Sequence, residues 1–188
     1  MIYVAEELLL LVDKNDTVIG YGEKSEVHKK EQLHRAFSLF LYNSLEKRML
    51  IHKRALHKYH SGGLWTNACC SHPRKGETLQ TAIIRRSSEE LGIDIGPFQS
   101  ELQHLGHFQY YQKYENCAEH EIDHVFYLSI STISKPNLNI TPAADEISDF
   151  AWVTMDELFD WLKKRPYDFT VWFPKALDIV LSSHLPEC

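Results

Sequence analysis

No apolar run among the 188 residues is long enough to span a bilayer, so a membrane-crossing helix is not expected. Basic residues are in deficit. The 20 Lys and Arg stand against 26 Asp and Glu, and the net charge of -6 argues against a general nucleic-acid binder. A local basic pocket for a phosphorylated small molecule stays open. Met1 to Leu11 carries Glu6 and Glu7 and no basic residue, unlike a secretory signal, so a cytoplasmic protein is expected. Cysteine is scarce: Cys69, Cys70, Cys117 and Cys188 match neither a zinc finger nor a small disulfide framework. In a reducing compartment they are thiols. No internal repeat, low-complexity tract or linker interrupts the sequence, so residues 1–188 are expected to form a single domain.

Hydrophobic residues make up 44% of the chain, enough for a sizeable core. Glu7 to Val12 and Thr17 to Tyr21 flank Asp13-Lys14-Asn15-Asp16 and read as a hairpin. Ala36 to Tyr42 and Met49 to Lys53 read as strands, with a turn over Asn43 to Lys47. Ser61-Gly62-Gly63 is a loop entering a strand from Trp65 to Cys70. Leu79, Ala82, Ile83 and Leu91 fall at helical spacing and predict a helix over Thr78 to Leu91, stopped by Gly92. Leu105 to Gln112 and His120 to Ser129 read as strands. Thr154 and Glu157 form a capping box opening a helix that Pro166 ends, and a last helix runs from Phe173 to Ser183. Strands first, one central helix and helices at the end predict an α/β (α+β) fold, a mixed β-sheet sandwiched between α-helices.

The eleven histidines are many for this length and prompt a search for ligand sets. Glu119 and Glu121 are two apart and share one face of a strand. Adjacent carboxylates repel, which calls for a cation or a shared proton. His72 follows Cys70 by two, and His28 and His34 lie just before the Ala36 strand. One reading is a single divalent-metal site of His28, His34, His72, Glu119 and Glu121, suited to manganese, zinc or a similar ion in near-octahedral geometry. Spacing alone leaves scattered surface histidines and an acidic strand face as the commoner reading.

Ser71 to Ile93 aligns with G-x5-E-x7-R-E-U-x-E-E-x-G-U, the Nudix box, where U is a bulky aliphatic residue. Glu77, Arg85, Glu89, Glu90, Gly92 and Ile93 match. Ser71 replaces the first glycine, Arg86 the first acid of the central pair, and Ser87 the aliphatic residue. Arg86 removes a metal ligand and adds a phosphate-pairing cation, which weakens a hydrolase reading and keeps diphosphate binding. An ordinary amphipathic helix with surface charges is the alternative.

Asn67-x-x-Cys70-x-His72-Pro73, the broken Nudix box and Glu119-x-Glu121, in that order, resemble type I isopentenyl-diphosphate isomerase, from about Lys24 to Trp172. The resemblance implies a Nudix-like fold and proton transfers between isopentenyl and dimethylallyl diphosphate through a tertiary carbocation. It implies Cys70 and Glu121 as the acid/base pair, with Cys69 facing away in an extended segment. Tyr110, or its neighbour Tyr111, would hydrogen-bond the acid, and Trp172 would face the carbocation. Thr66 and Asn67 would be structural for the turn. Lys24, Arg54, Lys58 and Arg86 would hold the diphosphate. A Mg2+ would bridge its phosphates, bound by Glu90 and the backbone carbonyl of Cys70, with Glu77 acting through water. Mn2+ or Zn2+ would occupy the His3Glu2 site, and no flavin is implied. The partner is a small isoprenoid diphosphate, with no nucleic acid or membrane, for a monomer or weak homodimer. A Nudix-type diphosphate hydrolase and a non-catalytic binding module are the alternatives.

Overall fold

The computed structural model describes residues 7–131 and 139–183. Most of the Met1 to Leu11 segment read above, and Cys188, lie outside these residues. Nine strands share one mixed sheet. In chain order they are β1 (Leu8–Val12), β2 (Val18–Glu23), β3 (His34–Asn43), β4 (Arg48–Arg54), β5 (Trp65–Thr66), β6 (Cys69–Ser71), β7 (Gln103–Lys113), β8 (Ala118–Ile130) and β9 (Ile147–Thr154). The helices are α1 (Lys24–Lys29), α2 (Leu79–Leu91), α3 (Met155–Lys164) and α4 (Phe173–Ser183).

The organising strand is β3. Along one edge it pairs in parallel with β8 over ten residues, from His34↔Glu121 to Asn43↔Ile130. Phe37, Ser38 and Leu39 also pair antiparallel with β6, so β6 and β8 flank opposite edges. Successive β3 side chains alternate between the two faces of the sheet. Phe37, Leu39 and Leu41 enter a core with Ala82, Ile83 and Leu91 of α2. Phe40 and Tyr42 enter a second core with Leu158 of α3 and Phe173, Ala176 and Leu177 of α4. With both faces covered, β3 reads as a nearly continuous apolar run rather than an alternating one.

The strands expected at Ala36, Met49, Leu105 and His120 are present and each extends by one or more residues at both ends. The single strand expected from Trp65 to Cys70 is two short ones, β5 and β6. The break has a cause: the Asn67 side-chain amide donates to the carbonyls of Leu39 (3.1 Å) and Cys69 (2.7 Å), replacing ladder bonds. Two elements were not anticipated. One is β9, which pairs antiparallel with β4, and the other is α1, whose N-terminus is capped by the Glu23 carboxylate. Among the described residues no helix is long and apolar enough to cross a membrane.

Helix α2 starts at a Thr78–Thr81 capping box and stops at Gly92, whose φ of 68° is left-handed. A Cβ at Gly92 would lie 2.6 Å from the Thr141 carbonyl oxygen. Gly92→Ala is therefore expected to cost roughly 1–2 kcal/mol from backbone conformation alone, and more from that contact. The midpoint of urea unfolding should fall; an unchanged midpoint would show that the Thr141 segment yields freely.

Candidate active site

Five donor side chains converge where α1, β3, β6 and β8 meet. His28 lies in the last turn of α1, His34 opens β3, His72 directly follows β6, and Glu119 and Glu121 lie on β8. One ligand-type atom from each lies within 4.8 Å of all the others. His72 Nε2 is 2.8 Å from Glu121 Oε1 and 3.2 Å from His34 Nε2. His28 Nε2 is 3.5 Å from Glu119 Oε1. The backbone orients two of the rings: Nδ1–H of His28 donates to the Lys24 carbonyl (2.6 Å) and Nδ1–H of His34 to that of Gln32 (2.8 Å). A carbonyl can only accept, so each Nδ1 carries a proton and each Nε2 is the atom turned to the cluster.

The donor set fits a divalent metal ion. His28 Nε2 and Glu119 Oε2 are buried without a hydrogen-bond partner. Leaving such groups unmet costs about 1–3 kcal/mol each, which a bound cation removes. Three imidazoles and two carboxylates are a first-row donor set. Burial pushes both carboxyls up, and the Glu121 charge adds to the rise at Glu119. His28 and His60 nevertheless hold Glu119 below the usual range, and His34 and the Tyr110 hydroxyl hold Glu121 below it.

The same cleft, about 610 Å³ including its open mouth, is lined by Cys70, Glu121, Tyr110 and Trp172. Cys70 and Glu121 reach it from opposite edges of β3. Burial pushes the Cys70 thiol up; Arg54 opposes the rise and Glu90 and Asp123 add to it, and the result is about 12. Cys70 is thus a neutral thiol near pH 7, its Sγ 3.9 Å from Thr66 Oγ1. Cys69 is fully buried in the α2 core. Tyr110, not Tyr111, faces the carboxylate: its hydroxyl donates to Glu121 Oε2 at 2.7 Å, while exposed Tyr111 donates to Glu31. Trp172 is buried just ahead of α4, with the Arg54 guanidinium 5.5 Å from its ring centre.

Lys24, Arg54, Lys58 and Arg86 all line the cleft. Three of them already meet carboxylates. Lys24 is 3.7 Å from Glu7, Lys58 contacts Glu146, and Arg86 contacts Glu89 (2.8 Å), Glu90 (2.5 Å) and Glu146 (3.2 Å). Glu90 is buried, and burial pushes its carboxyl up against the pull of Arg86. Glu77 is absent from the cleft lining. Its oxygens accept from the Arg85 guanidinium (2.6 and 2.9 Å) and the Arg74 amide (2.8 Å), so it closes the turn before α2.

Asp123, Glu146 and His60 are among the cleft residues that escaped the sequence reading. Asp123 is buried, accepts from Ser38 Oγ at 2.8 Å, and keeps Oδ1 unpartnered. It lies two residues beyond Glu121, so the alternation that linked Glu119 and Glu121 also reaches it. Glu146 ties Arg86 to Lys58, and His60 contacts Glu119. Both come from irregular segments without periodicity.

A family model described as "NUDIX domain" matches residues 32–173. The chain is similar to isopentenyl-diphosphate Delta-isomerase 2 of Photorhabdus laumondii, 42% identical over 92% of each chain. It is also similar to isopentenyl-diphosphate Delta-isomerase of Photobacterium profundum, 40% identical over 95% of this chain and 97% of that one. Among solved structures, a MutT NUDIX hydrolase from Burkholderia pseudomallei shares the fold with a TM-score of 0.60, at 19% identity over 79% of this chain and 98% of that one.

If the five donors bind an ion, Mn2+ at a hundred times its dissociation constant should stabilise the protein by about 2.7 kcal/mol. The rise in Tm should vanish in His34→Gln. A Tm that climbs equally in the variant would place the ion elsewhere.

Proposed function

The chain belongs to the NUDIX domain family and, within it, to the isopentenyl-diphosphate Delta-isomerases, and on that premise we propose that it interconverts isopentenyl and dimethylallyl diphosphate by adding one proton and removing another. The observation that carries this reading is a neutral thiol, Cys70, and an ionised carboxylate, Glu121, reaching one cleft from opposite edges of β3. An allylic shift needs one acid and one base, and the resting pair supplies both.

The Cys70 thiol gives its proton to the terminal alkene carbon, whose π electrons form the new C–H bond. Positive charge is left on the tertiary carbon. The Glu121 carboxylate takes a proton from the carbon on the diphosphate side, and those C–H electrons become the new double bond. The thiolate and carboxylic acid that remain are the pair the reverse reaction needs, and exchange with water restores the first state. Tyr110 fixes Glu121 Oε2 during both steps. The Trp172 ring supports the charge by about 0.5–2 kcal/mol and keeps water from capturing it.

Lys24, Arg54, Lys58 and Arg86 bind the diphosphate, which takes over from the carboxylates that Lys24, Lys58 and Arg86 now meet. His28, His34, His72, Glu119 and Glu121 would hold Mn2+ or Zn2+, whose charge keeps the adjacent carboxylates ionised, while Glu90 and the Cys70 backbone carbonyl would hold a Mg2+ that neutralises the diphosphate. Cys70 and Glu121 supply both proton transfers, so this reading calls on no flavin. We place this activity in a single cytoplasmic domain, a monomer or weak homodimer, without nucleic-acid or membrane partners. Hydrolysis is the weaker reading, because Arg86 engages Glu89 and Glu90, acids that a hydrolase would use to gather metal.

Incubation with isopentenyl diphosphate, Mg2+ and Mn2+ in deuterated water should yield deuterium-labelled dimethylallyl diphosphate. Phosphate release without labelled product would instead favour the hydrolase. Cys70→Ala and Glu121→Gln should each abolish turnover in a folded protein, and substantial activity in either would mean the pair is misassigned. Arg54→Ala should raise KM roughly tenfold or more, from the loss of a charge-assisted bond of about 1.5–3 kcal/mol. An unchanged KM would remove Arg54 from the diphosphate site.

A further inference from the structure

His60 has no place in the five-donor cluster, yet it is buried and its Nε2 contacts Glu119 Oε1. It sits in the irregular segment between β4 and β5. Its other nitrogen, Nδ1, lies 3.4 Å from the Ser61 hydroxyl, which is 2.9 Å from the Tyr114 hydroxyl. The Tyr114 ring also lies against the imidazole, centroids 5.0 Å apart. A hydroxyl donating to Nδ1 leaves the ring proton on Nε2, where it points at the carboxylate. Glu119 Oε2, the other oxygen, is buried and unpartnered.

We propose that His60 is a positioning residue of the metal centre: its Nε2–H holds one oxygen of Glu119 so that the carboxylate presents the other to a divalent cation. The proposal rests on reading the five donors as a metal centre. A carboxylate on a strand next to a second carboxylate is repelled by it and turns away unless something holds it. His28 alone does so at 3.5 Å, a weak contact. His60 supplies the stronger hold, and the Ser61–Tyr114 pair keeps its ring from turning. Partners that fix a ligating side chain in this way are typically worth about 10–100-fold in metal affinity.

The test is Mn2+ binding to the full chain, measured as free ion by electron paramagnetic resonance in titrations of wild type and three variants. His60→Phe keeps a ring and removes the donor; its dissociation constant should rise about 10–100-fold. His60→Gln keeps an N–H donor and should recover most of that loss. Tyr114→Phe leaves His60 in place and frees Ser61, so it should weaken binding by a smaller factor and keeps the test open if His60→Phe does not fold. With Co2+ at saturation, the visible absorption of His60→Phe should match wild type, because the directly bound atoms are unchanged. Wild-type affinity in His60→Phe, or in Tyr114→Phe where His60→Phe does not fold, overturns the proposal. So does a Gln variant as weak as the Phe variant, or an altered Co2+ spectrum, which would make His60 itself a ligand. A wild-type protein that takes up no ion overturns the metal-centre reading, and this inference with it.

Discussion

The parallel pairing of β3 with β8 is the constraint on which the site depends. Its register sets His34 opposite Glu121 and puts Glu119, Glu121 and Asp123 on one face of the sheet. A slip of one residue would turn those carboxylates to the other face and into the α2 core. The apolar side chains guard against it: Phe37, Leu39 and Leu41 fill one core while Phe40 and Tyr42 fill the other, so a one-residue slip takes both sets out of their cores. Ordinary packing energy thereby fixes the placement of the polar donors.

Charge is arranged in the cleft as two opposed populations. Carboxylates of β8 meet histidines on one side, and Lys24, Lys58 and Arg86, from three separate segments, meet Glu7, Glu89, Glu90 and Glu146 on the other. The pairing of these charges lowers the desolvation cost of the cleft. At Lys24, Lys58 and Arg86 an entering polyanion therefore exchanges one set of acidic partners for another, whereas Arg54 has no carboxylate among the described residues to give up. Arg86 is the pivot of this exchange because it touches three carboxylates at once.

Much of this was legible in the sequence where a local rule applied. The α2 helix, its Gly92 stop and the Thr154–Glu157 capping box follow from spacing and cap chemistry, and the final helix lies at its expected bounds. The donor set carried by family resemblance comes together in space. What escaped depends on distant partners. The β5–β6 break needs Asn67 to find Leu39, β9 is defined by its pairing with β4, and α1 takes its cap from Glu23 within a short charged run. His60 and Glu146 lie in segments where no periodicity points at a target, so only the folded chain shows what they touch. Glu77 matches a motif position, but its neighbour Arg85 captures it.

The five-donor cluster also has a bearing on how the chain folds. Its members span from His28 to Glu121, and two of its strands pair in parallel, an arrangement that forms only after a long loop has closed. No short stretch of the unfolded chain gathers more than two of these side chains, so an ion has little to grip before the sheet is assembled. Capture of metal is then a late event that locks a finished architecture, in contrast to small zinc modules whose ion templates the fold from the outset.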